Sequence, residues 1–278
     1  MLCPRELNSR EEEAKLHGKR DYMRGQLRVL DKIVFKSFFQ SLYRRYLIPI
    51  ELSKYRTGSQ SCNSIVVSYR DESRSPLNFV CDDFNTDKGS MHPRQSDHAY
   101  VDIYDILLRA SREHIRNIFE CGIGSNNIDV PGFMGENASP GASLRVWRDF
   151  FPKAHIWGAD IDQRILFEEQ RISTGYLNQL DSTSIENFWE VASNGGQVEF
   201  DLMIDDGLHT VEAANNLFVH SVSHLKKDGY YFIEDLSYDQ IQLFTELIKD
   251  HPFSCQVFSS TAFTRGLIPG NLLLIRRK

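Results

Sequence analysis

Short apolar runs alternate with amphipathic helical patterns through most of the chain after residue 95. The apolar runs lie at residues 115–121, 155–160, 176–180, 200–204, 230–233, 253–259 and 271–276. Patterns with apolar residues three or four positions apart lie at about residues 96–110, 143–151, 164–172, 184–192, 211–225 and 239–249. This alternation predicts a doubly wound, mainly parallel α/β sheet of seven strands. The last two strands have no long helix between them, so we expect one of them to be antiparallel.

The first 83 residues carry a different pattern. Apolar residues at helical spacing predict an amphipathic helix over 19–47, and residues 57–80, rich in Ser, Thr, Asn and Arg, are expected to be a linker or irregular. We therefore divide the chain into an N-terminal helical extension with its linker (1–83) and a sheet domain (84–278).

The N-terminal helix is strongly basic. Residues 19–56 contain ten lysine or arginine residues and three acids, a net charge of +7 in a chain whose overall charge is −6. A basic amphipathic helix can make peripheral contact with an anionic membrane surface. We favour the alternative, in which it packs on the main domain or on a second subunit of a homo-oligomer.

Composition narrows the classes of protein that fit. The net negative charge gives no overall attraction to nucleic acid. No apolar run approaches the roughly 18 residues of a membrane span, and the N-terminus lacks the apolar core of a signal peptide. The five cysteines are scattered, odd in number and without a CxxC, which argues against a disulfide framework and a structural zinc site. A reducing cytoplasm is the expected location.

Acidic residues follow two of the predicted strands at matching positions. Asp205, Asp206 and His209 come after the run at 200–204, and the pair at 234–235 comes after the run at 230–233. On neighbouring strands these groups would meet at the carboxyl edge of the sheet, where ligands of such sheets bind. Crowded carboxylates favour a divalent cation, and oxygen ligands suit Mg or Mn. The alternative is that the acids are turn residues or helix caps, which the two matching pairs make less attractive.

A glycine loop after the first strand indicates an adenosine-type cofactor. Glu120 precedes Gly122 and Gly124, and Asp160 ends the next strand, where an acid accepts hydrogen bonds from ribose hydroxyls. The dinucleotide fingerprint GxGxxG is not met, and Glu120 would repel a pyrophosphate. It suits the positively charged S-adenosylmethionine instead. Asp181, after the third strand, is placed to meet the adenine amino group.

A 17-residue loop separates these glycines from the next helix. It spans 125–141 and contains three glycines and two prolines. Loops of this length in compact domains are usually functional or disordered. We expect it to help cover the site.

As a set, these motifs resemble those of the macrolide-type sugar O-methyltransferases, the macrocin and mycinamicin methyltransferase group with the cephalosporin-hydroxylase-like proteins. The resemblance covers about residues 84–278. The matching motifs are Thr86–Gly89 with Tyr100 and Tyr104, Glu120–Gly124, Gly141–Leu144 with Trp147, Gly158–Asp162, Asp205–His209 and Ile233–Asp235.

The resemblance implies the Rossmann-like class I methyltransferase fold, S-adenosylmethionine as cofactor, and Mg²⁺ that binds adjacent hydroxyls of a small-molecule or glycan acceptor. It implies that His209 is the general base, and that Asp206 acts in catalysis and binds the metal together with Glu234 and Asp235. The cofactor contacts are expected at Thr86, Lys88, Glu120, Gly122, Gly124, Ser143, Asp160, Gln179, Asp181 and Asp205. Leu208 is a departure, because the family usually has a small polar residue there, and it can alter the acceptor pocket.

Two other functions stay open at this point. A metal-dependent glycosyltransferase would use Asp160 and Asp162 as a DxD motif that holds a nucleotide-sugar diphosphate through a metal. A protein that binds the cofactor without catalysis is the second alternative. Glu120 and the second acidic pair argue against the glycosyltransferase, and His209 with both acidic pairs argues against loss of chemistry.

Overall fold

The structure of the protein is a computed structural model that describes residues 62–69, 75–89, 100–262 and 270–277. The basic helix predicted over 19–47 lies outside these residues. Its contact with a membrane or with a second subunit therefore stays a prediction. The division of the chain after residue 83 likewise stays a prediction. In the described ranges, no helix combines the length and the apolar content needed to cross a membrane.

The described strands form one sheet of nine. They are β1 (Cys62–Tyr69), β2 (Asn117–Cys121), β3 (His155–Asp160), β4 (Glu168–Glu169), β5 (Ile172–Tyr176), β6 (Phe200–Asp205), β7 (Leu225–Glu234), β8 (Phe253–Ala262) and β9 (Gly270–Arg277). Their order across the sheet is β1-β8-β9-β7-β6-β2-β3-β5-β4. The inner seven strands confirm the predicted mainly parallel sheet, and β9 runs antiparallel to both of its neighbours. Two strands that were not predicted, β1 and β4, add to the edges.

Six α-helices accompany the sheet in the described ranges. They are α1 (Pro76–Phe84), α2 (Tyr100–Leu108), α3 (Ala142–Phe150), α4 (Ser182–Ala192), α5 (Val211–Ser221) and α6 (Tyr238–Leu247). Side-chain caps fix several of their starts. Ser75 caps α1 ahead of a proline, Thr210 caps α5, and Ser237 forms a reciprocal capping box with Gln240 at α6.

The central strands are buried on both faces, as a parallel sheet between helices requires. On one face Tyr104 of α2 packs edge-on against Trp147 of α3 and Phe232 of β7, with ring centroids 5.2 and 4.8 Å apart. On the other face Phe119 of β2 packs against Trp189 of α4 at 4.7 Å. These aromatic contacts fix α2 and α3 over the strand ends that carry the acidic residues.

Two predicted stretches were wrong. The range 57–80, expected to be irregular, contains β1 and the start of α1; β1 pairs in parallel with β8. The helix expected over 164–172 is replaced by a short 3₁₀ turn, β4 and the start of β5, so the third strand ends at Tyr176 instead of beginning there. Arg171, with a left-handed φ of 62°, makes the tight turn between β4 and β5 that excludes a helix.

Candidate active site

One cavity of about 440 Å³ opens at the carboxyl ends of the central strands. We call it the sheet-edge cavity. Most of the predicted site residues line it, namely Thr86, Lys88, Gly122, Gly124, Ser143, Asp160, Gln179, Asp206, His209 and Asp235. Glu120, Asp181, Asp205 and Glu234 do not line it.

The glycine turn brings the end of β2 against the end of β6. Gly122 has φ 86°, and a Cβ there would lie 2.1 Å from the carbonyl oxygen of Asp206. The amide of Asp206 in turn donates to the Cys121 carbonyl at 2.9 Å. Only glycine permits this close approach, which sets the loop backbone beside the acidic residues.

Asp160 ties the glycine loop to the end of β3. Its Oδ2 accepts from the Ile123 amide and its Oδ1 from the Asp162 amide, both at 2.9 Å. Burial raises the pKa of Asp160. A carboxylate has about four acceptor positions, so its place on the cavity wall remains compatible with bonds from ribose hydroxyls.

Asp162 anchors the start of the long loop after β2. Its Oδ2 accepts from Ser125 Oγ at 2.6 Å and from Asn127 Nδ2 at 2.7 Å. Its Oδ1 accepts from Arg164 Nε at 2.7 Å, and Arg164 also reaches Asp129 of the same loop. Charge-assisted bonds of this kind are among the stronger ones, so the loop is held where it covers the cavity. No pattern in the sequence predicted this role of Asp162.

Gln179 joins the cavity wall to β6. Its Nε2 donates to Asp205 Oδ1 and its Oε1 accepts from the Leu208 amide, both at 2.7 Å. Asp205 is 3% exposed, and burial raises its pKa to about 6. Asp205 therefore supports Gln179 from below, and the structure does not bring it to the cofactor cavity as predicted.

Asp181 does not line the sheet-edge cavity either. Its carboxylate accepts from the Thr183 amide at 3.0 Å and caps α4, and the residue lines a separate groove with Tyr176 and Phe188. The predicted contact of Asp181 with adenine stays a prediction. Leu180 and Ile161 line the cavity instead and are 51% and 42% exposed, which offers apolar surface for an adenine ring.

Asp206, His209 and Asp235 form a compact group in which each residue offers one ligand atom, all within 4.8 Å of one another. His209 Nε2 lies 3.9 Å from Asp206 Oδ1. His209 and Asp235 both have left-handed backbones, with φ of 53° and 59°. Non-glycine residues adopt such angles rarely, and often at functional sites. The Tyr100 hydroxyl donates to Asp235 Oδ1 at 2.6 Å and fixes its orientation.

Glu234 is held beneath this group by other partners. Its Oε1 accepts from the Tyr104 hydroxyl at 2.6 Å and its Oε2 from Lys88 Nζ at 2.8 Å. Lys88 Nζ also lies 2.5 Å from Asp206 Oδ2. Glu234 is 2% exposed, and the structure does not bring it into the compact group of ligand atoms. Its predicted role as a metal ligand stays a prediction.

Glu120 lies under the glycine turn with no exposure. Its Oε2 accepts from Trp147 Nε1 at 2.5 Å, and Lys88 Nζ is 3.5 Å from its Oε1. Burial raises the pKa of Glu120 to about 7, although Lys88 opposes the rise. Tyr100, Tyr104 and Trp147 belong to the predicted motifs, and the structure adds their contacts: they donate to the half-buried Asp235 and to the buried Glu234 and Glu120.

The known proteins most similar in sequence that we compared with this chain are O-methyltransferases. It is 31% identical to demethylmacrocin O-methyltransferase of Streptomyces fradiae over 186 residues, 66% of this chain and 42% of that protein. It is also 31% identical to mycinamicin VI 2''-O-methyltransferase of Micromonospora griseorubida over 139 residues, 50% of this chain and 32% of the relative. The chain thus spans less than half the length of these curated relatives. No protein-family model matches it.

The fold has a counterpart among solved structures. MycE methyltransferase of the mycinamycin biosynthetic pathway, solved in complex with Mg and S-adenosylhomocysteine (SAH), aligns with a TM-score of 0.54 at 22% identity, over 74% of this chain and 55% of that one. At this identity the likeness shows the fold alone, which is that of a Rossmann-like class I methyltransferase. The resemblance to macrocin-type and mycinamicin-type sugar O-methyltransferases that the motifs predicted is confirmed.

Proposed function

We propose that this chain is an S-adenosylmethionine-dependent O-methyltransferase that acts on a sugar hydroxyl of a glycosylated natural product or polysaccharide and uses Mg²⁺. The observation that carries the proposal is the joint lining of the sheet-edge cavity. The glycine turn, Asp160 and Gln179 line it together with the group Asp206, His209 and Asp235. The names of the curated relatives, all O-methyltransferases, support it.

The cavity suits S-adenosylmethionine better than a nucleotide. Asp160 would accept bonds from the ribose hydroxyls, and the exposed side chains of Ile161 and Leu180 would flank adenine. The acids beneath and beside the glycine turn favour a cationic sulfonium and disfavour phosphates. MycE, the solved structure of the same fold, holds SAH.

The described residues also fit a divalent metal. Asp206 and Asp235 offer carboxylate oxygens, the ligand type that Mg²⁺ prefers, and His209 lies beside them. When bound, the metal would lower the pKa of the acceptor hydroxyl and orient adjacent hydroxyls. Carboxylates outnumber cationic side chains at this edge of the sheet, so the edge would attract a divalent metal ion electrostatically.

His209 is proposed as the general base. It is 38% exposed at its side chain, so an acceptor can reach it, and Gln240 Nε2 donates to its carbonyl at 2.9 Å and fixes its backbone. The imidazole would take the proton of the acceptor hydroxyl, and bound S-adenosylmethionine would supply the methyl group and leave as the thioether SAH. Asp206, 3.9 Å away, would stabilise the resulting imidazolium.

The acceptor side of the cavity carries Leu208, which is 36% exposed next to His209. We propose that it packs against an apolar part of the acceptor beside the methylated sugar. Leu208→Ser should then raise the KM for the acceptor and leave SAH affinity unchanged. An unchanged acceptor KM would remove this assignment.

Calorimetric titration of SAH into the purified chain, with Mg²⁺ and then with EDTA, tests the proposal. We expect micromolar binding and a separate heat for Mg²⁺. Asp160→Asn should weaken SAH binding, and Asp149→Asn, at a surface ion pair with Arg148, is the matched control. No SAH binding in either condition would discard the function.

The same titration distinguishes the two alternative functions, a glycosyltransferase and a non-catalytic cofactor-binding protein. In a glycosyltransferase Asp162 would face the ligand, whereas here its carboxylate is held by Ser125, Asn127 and Arg164. Binding of a nucleotide-sugar in place of SAH would nevertheless establish that class. A non-catalytic protein would bind SAH and show no heat for Mg²⁺.

A further inference from the structure

Lys88 occupies an unusual position for a lysine. Its side chain is 5% exposed, and its ammonium touches Asp206 Oδ2 at 2.5 Å and Glu234 Oε2 at 2.8 Å. A buried ammonium is costly unless charged partners surround it. Lys88 therefore supplies the positive charge that holds two of the three predicted metal ligands in place.

Through the same contacts Lys88 would compete with a metal ion for carboxylate oxygens. Glu234 has no oxygen left for a cation, because its Oε2 accepts from Lys88 and its Oε1 from Tyr104, whereas Asp206 gives Oδ2 to Lys88 and keeps Oδ1 on the side of His209. A divalent ion that bound both carboxylates would stand beside the ammonium and repel it. For the ion to bind Glu234, Lys88 would therefore have to leave Glu234 Oε2.

A second acceptor lies within reach of Lys88. Glu120 Oε1 is buried 3.5 Å from Lys88 Nζ and makes no hydrogen bond within the described ranges. A buried carboxylate oxygen without a donor is rare and costly. The other Glu120 oxygen, Oε2, accepts a hydrogen bond from Trp147 Nε1. This bond fixes the carboxylate so that Oε1 points toward the Lys88 ammonium.

From these contacts we propose that Lys88 is a positioning residue that is exchanged for the metal: it bridges Asp206 and Glu234 in the metal-free protein and moves to Glu120 when the divalent cation binds. The exchange frees Glu234 to join Asp206 and Asp235 around the ion. Metal binding would thereby change the contacts of Glu120, which lies directly beneath the glycine turn of the sheet-edge cavity. This inference rests on the metal role in the proposed function.

The exchange predicts opposite effects of two substitutions on metal affinity. Lys88→Met removes the competing cation, so Mg²⁺ and Mn²⁺ should bind roughly tenfold more tightly. Glu120→Gln removes the receiving carboxylate, so both ions should bind roughly tenfold more weakly. A merely structural Lys88 would instead weaken metal binding when it is lost. Lys226→Met, which breaks the pair with Asp201 at 2.7 Å, is the control and should change nothing.

The readout is calorimetric metal affinity of the full chain without acceptor, so no turnover is needed. A folded Lys88→Met protein with unchanged or weaker metal affinity would overturn the exchange alone. Absence of metal binding to the wild type would overturn both the exchange and the proposed metal role.

A second measurement does not depend on a stable Lys88 variant. In wild-type protein labelled with ¹⁵N at the lysine side chains, saturating Mg²⁺ should shift the signal of one buried ammonium. Saturation with Mg²⁺ that leaves every lysine ammonium signal in place would overturn the proposal.

Discussion

Ser125 Oγ donates to Asp162 Oδ2 at 2.6 Å, and this bond joins the first residue of the long loop after β2 to the acidic end of β3. Asn127 and Arg164 complete the anchor on the same carboxylate. The loop lines the cavity through Pro131 and Met134, so its position depends on Asp162. The anchor explains how a 17-residue connection stays ordered over a binding site.

Asp162→Asn should therefore weaken SAH binding without unfolding the chain. It removes the negative charge that these donors share, and hydrogen bonds to charged groups contribute about 1.5–3 kcal/mol, which corresponds to roughly tenfold or more in affinity. Calorimetry of SAH with this variant measures the loss. Retention of wild-type affinity would mean that the loop is held by other contacts.

Gly122→Ala should abolish cofactor binding and lower the free energy of unfolding by about 2 kcal/mol or more, because the new Cβ would meet the Asp206 carbonyl at 2.1 Å and φ is 86°. Gly132→Ala is a matched control, since Gly132 has φ 82° and a Cβ added there would meet no atom within 4 Å. It carries the backbone strain without the collision. Thermal unfolding and SAH titration of both variants separate the two effects; equal losses would contradict the steric argument.

His209→Asn should lower kcat by about a hundredfold or more, because a general base contributes 10²–10⁴ in rate. SAH affinity should stay within about twofold, since His209 lies at the acceptor end of the cavity and roughly this margin reflects experimental scatter. His220→Asn is the control, because His220 faces Glu186 on the protein surface at 3.2 Å. Turnover equal to wild type in the His209 variant would remove the base assignment.

Tyr100→Phe tests how Asp235 is positioned. The hydroxyl donates to Asp235 Oδ1 at 2.6 Å, and its loss should weaken Mg²⁺ binding by roughly tenfold or more, in line with about 1.5–3 kcal/mol for a hydrogen bond to a charged group. The aromatic ring stays, so the core around α2 is preserved. Metal titration checks this; unchanged affinity would show that the Tyr100 hydroxyl does not orient Asp235 for the metal.

The alternation of inner strands with helices and the acidic strand ends could be predicted because both follow from local pattern. The runs at β6 and β7 are apolar and close to acids, and the parallel arrangement then requires Asp206 and Asp235 to meet. The pairing of Lys88 with Glu234 could not be predicted in this way. It joins residues 146 positions apart through a loop whose course depends on tertiary packing.

Local pattern is ambiguous where one segment can satisfy two physical demands. Asp181 follows a strand in sequence, but a carboxylate two residues before a free helix amide is also an N-cap, and the cap is what forms. Residues 164–172 show helical spacing, yet Ile172 pairs with Ile156 in the sheet and the segment becomes extended. Sheet pairing outweighed weak helix propensity there.

In the proposed enzyme, one cavity holds the cofactor and a metal side by side. Paramagnetic relaxation measures the distance between the two directly. The sample is the protein with bound Mn²⁺ and with S-adenosylmethionine that carries ¹³C at the transferable methyl. We expect strong broadening of the methyl signal that excess Mg²⁺ reverses and that Asp206→Asn abolishes. A sharp methyl signal with both ligands bound would contradict the shared cavity, because the metal would then lie far from the transferred group.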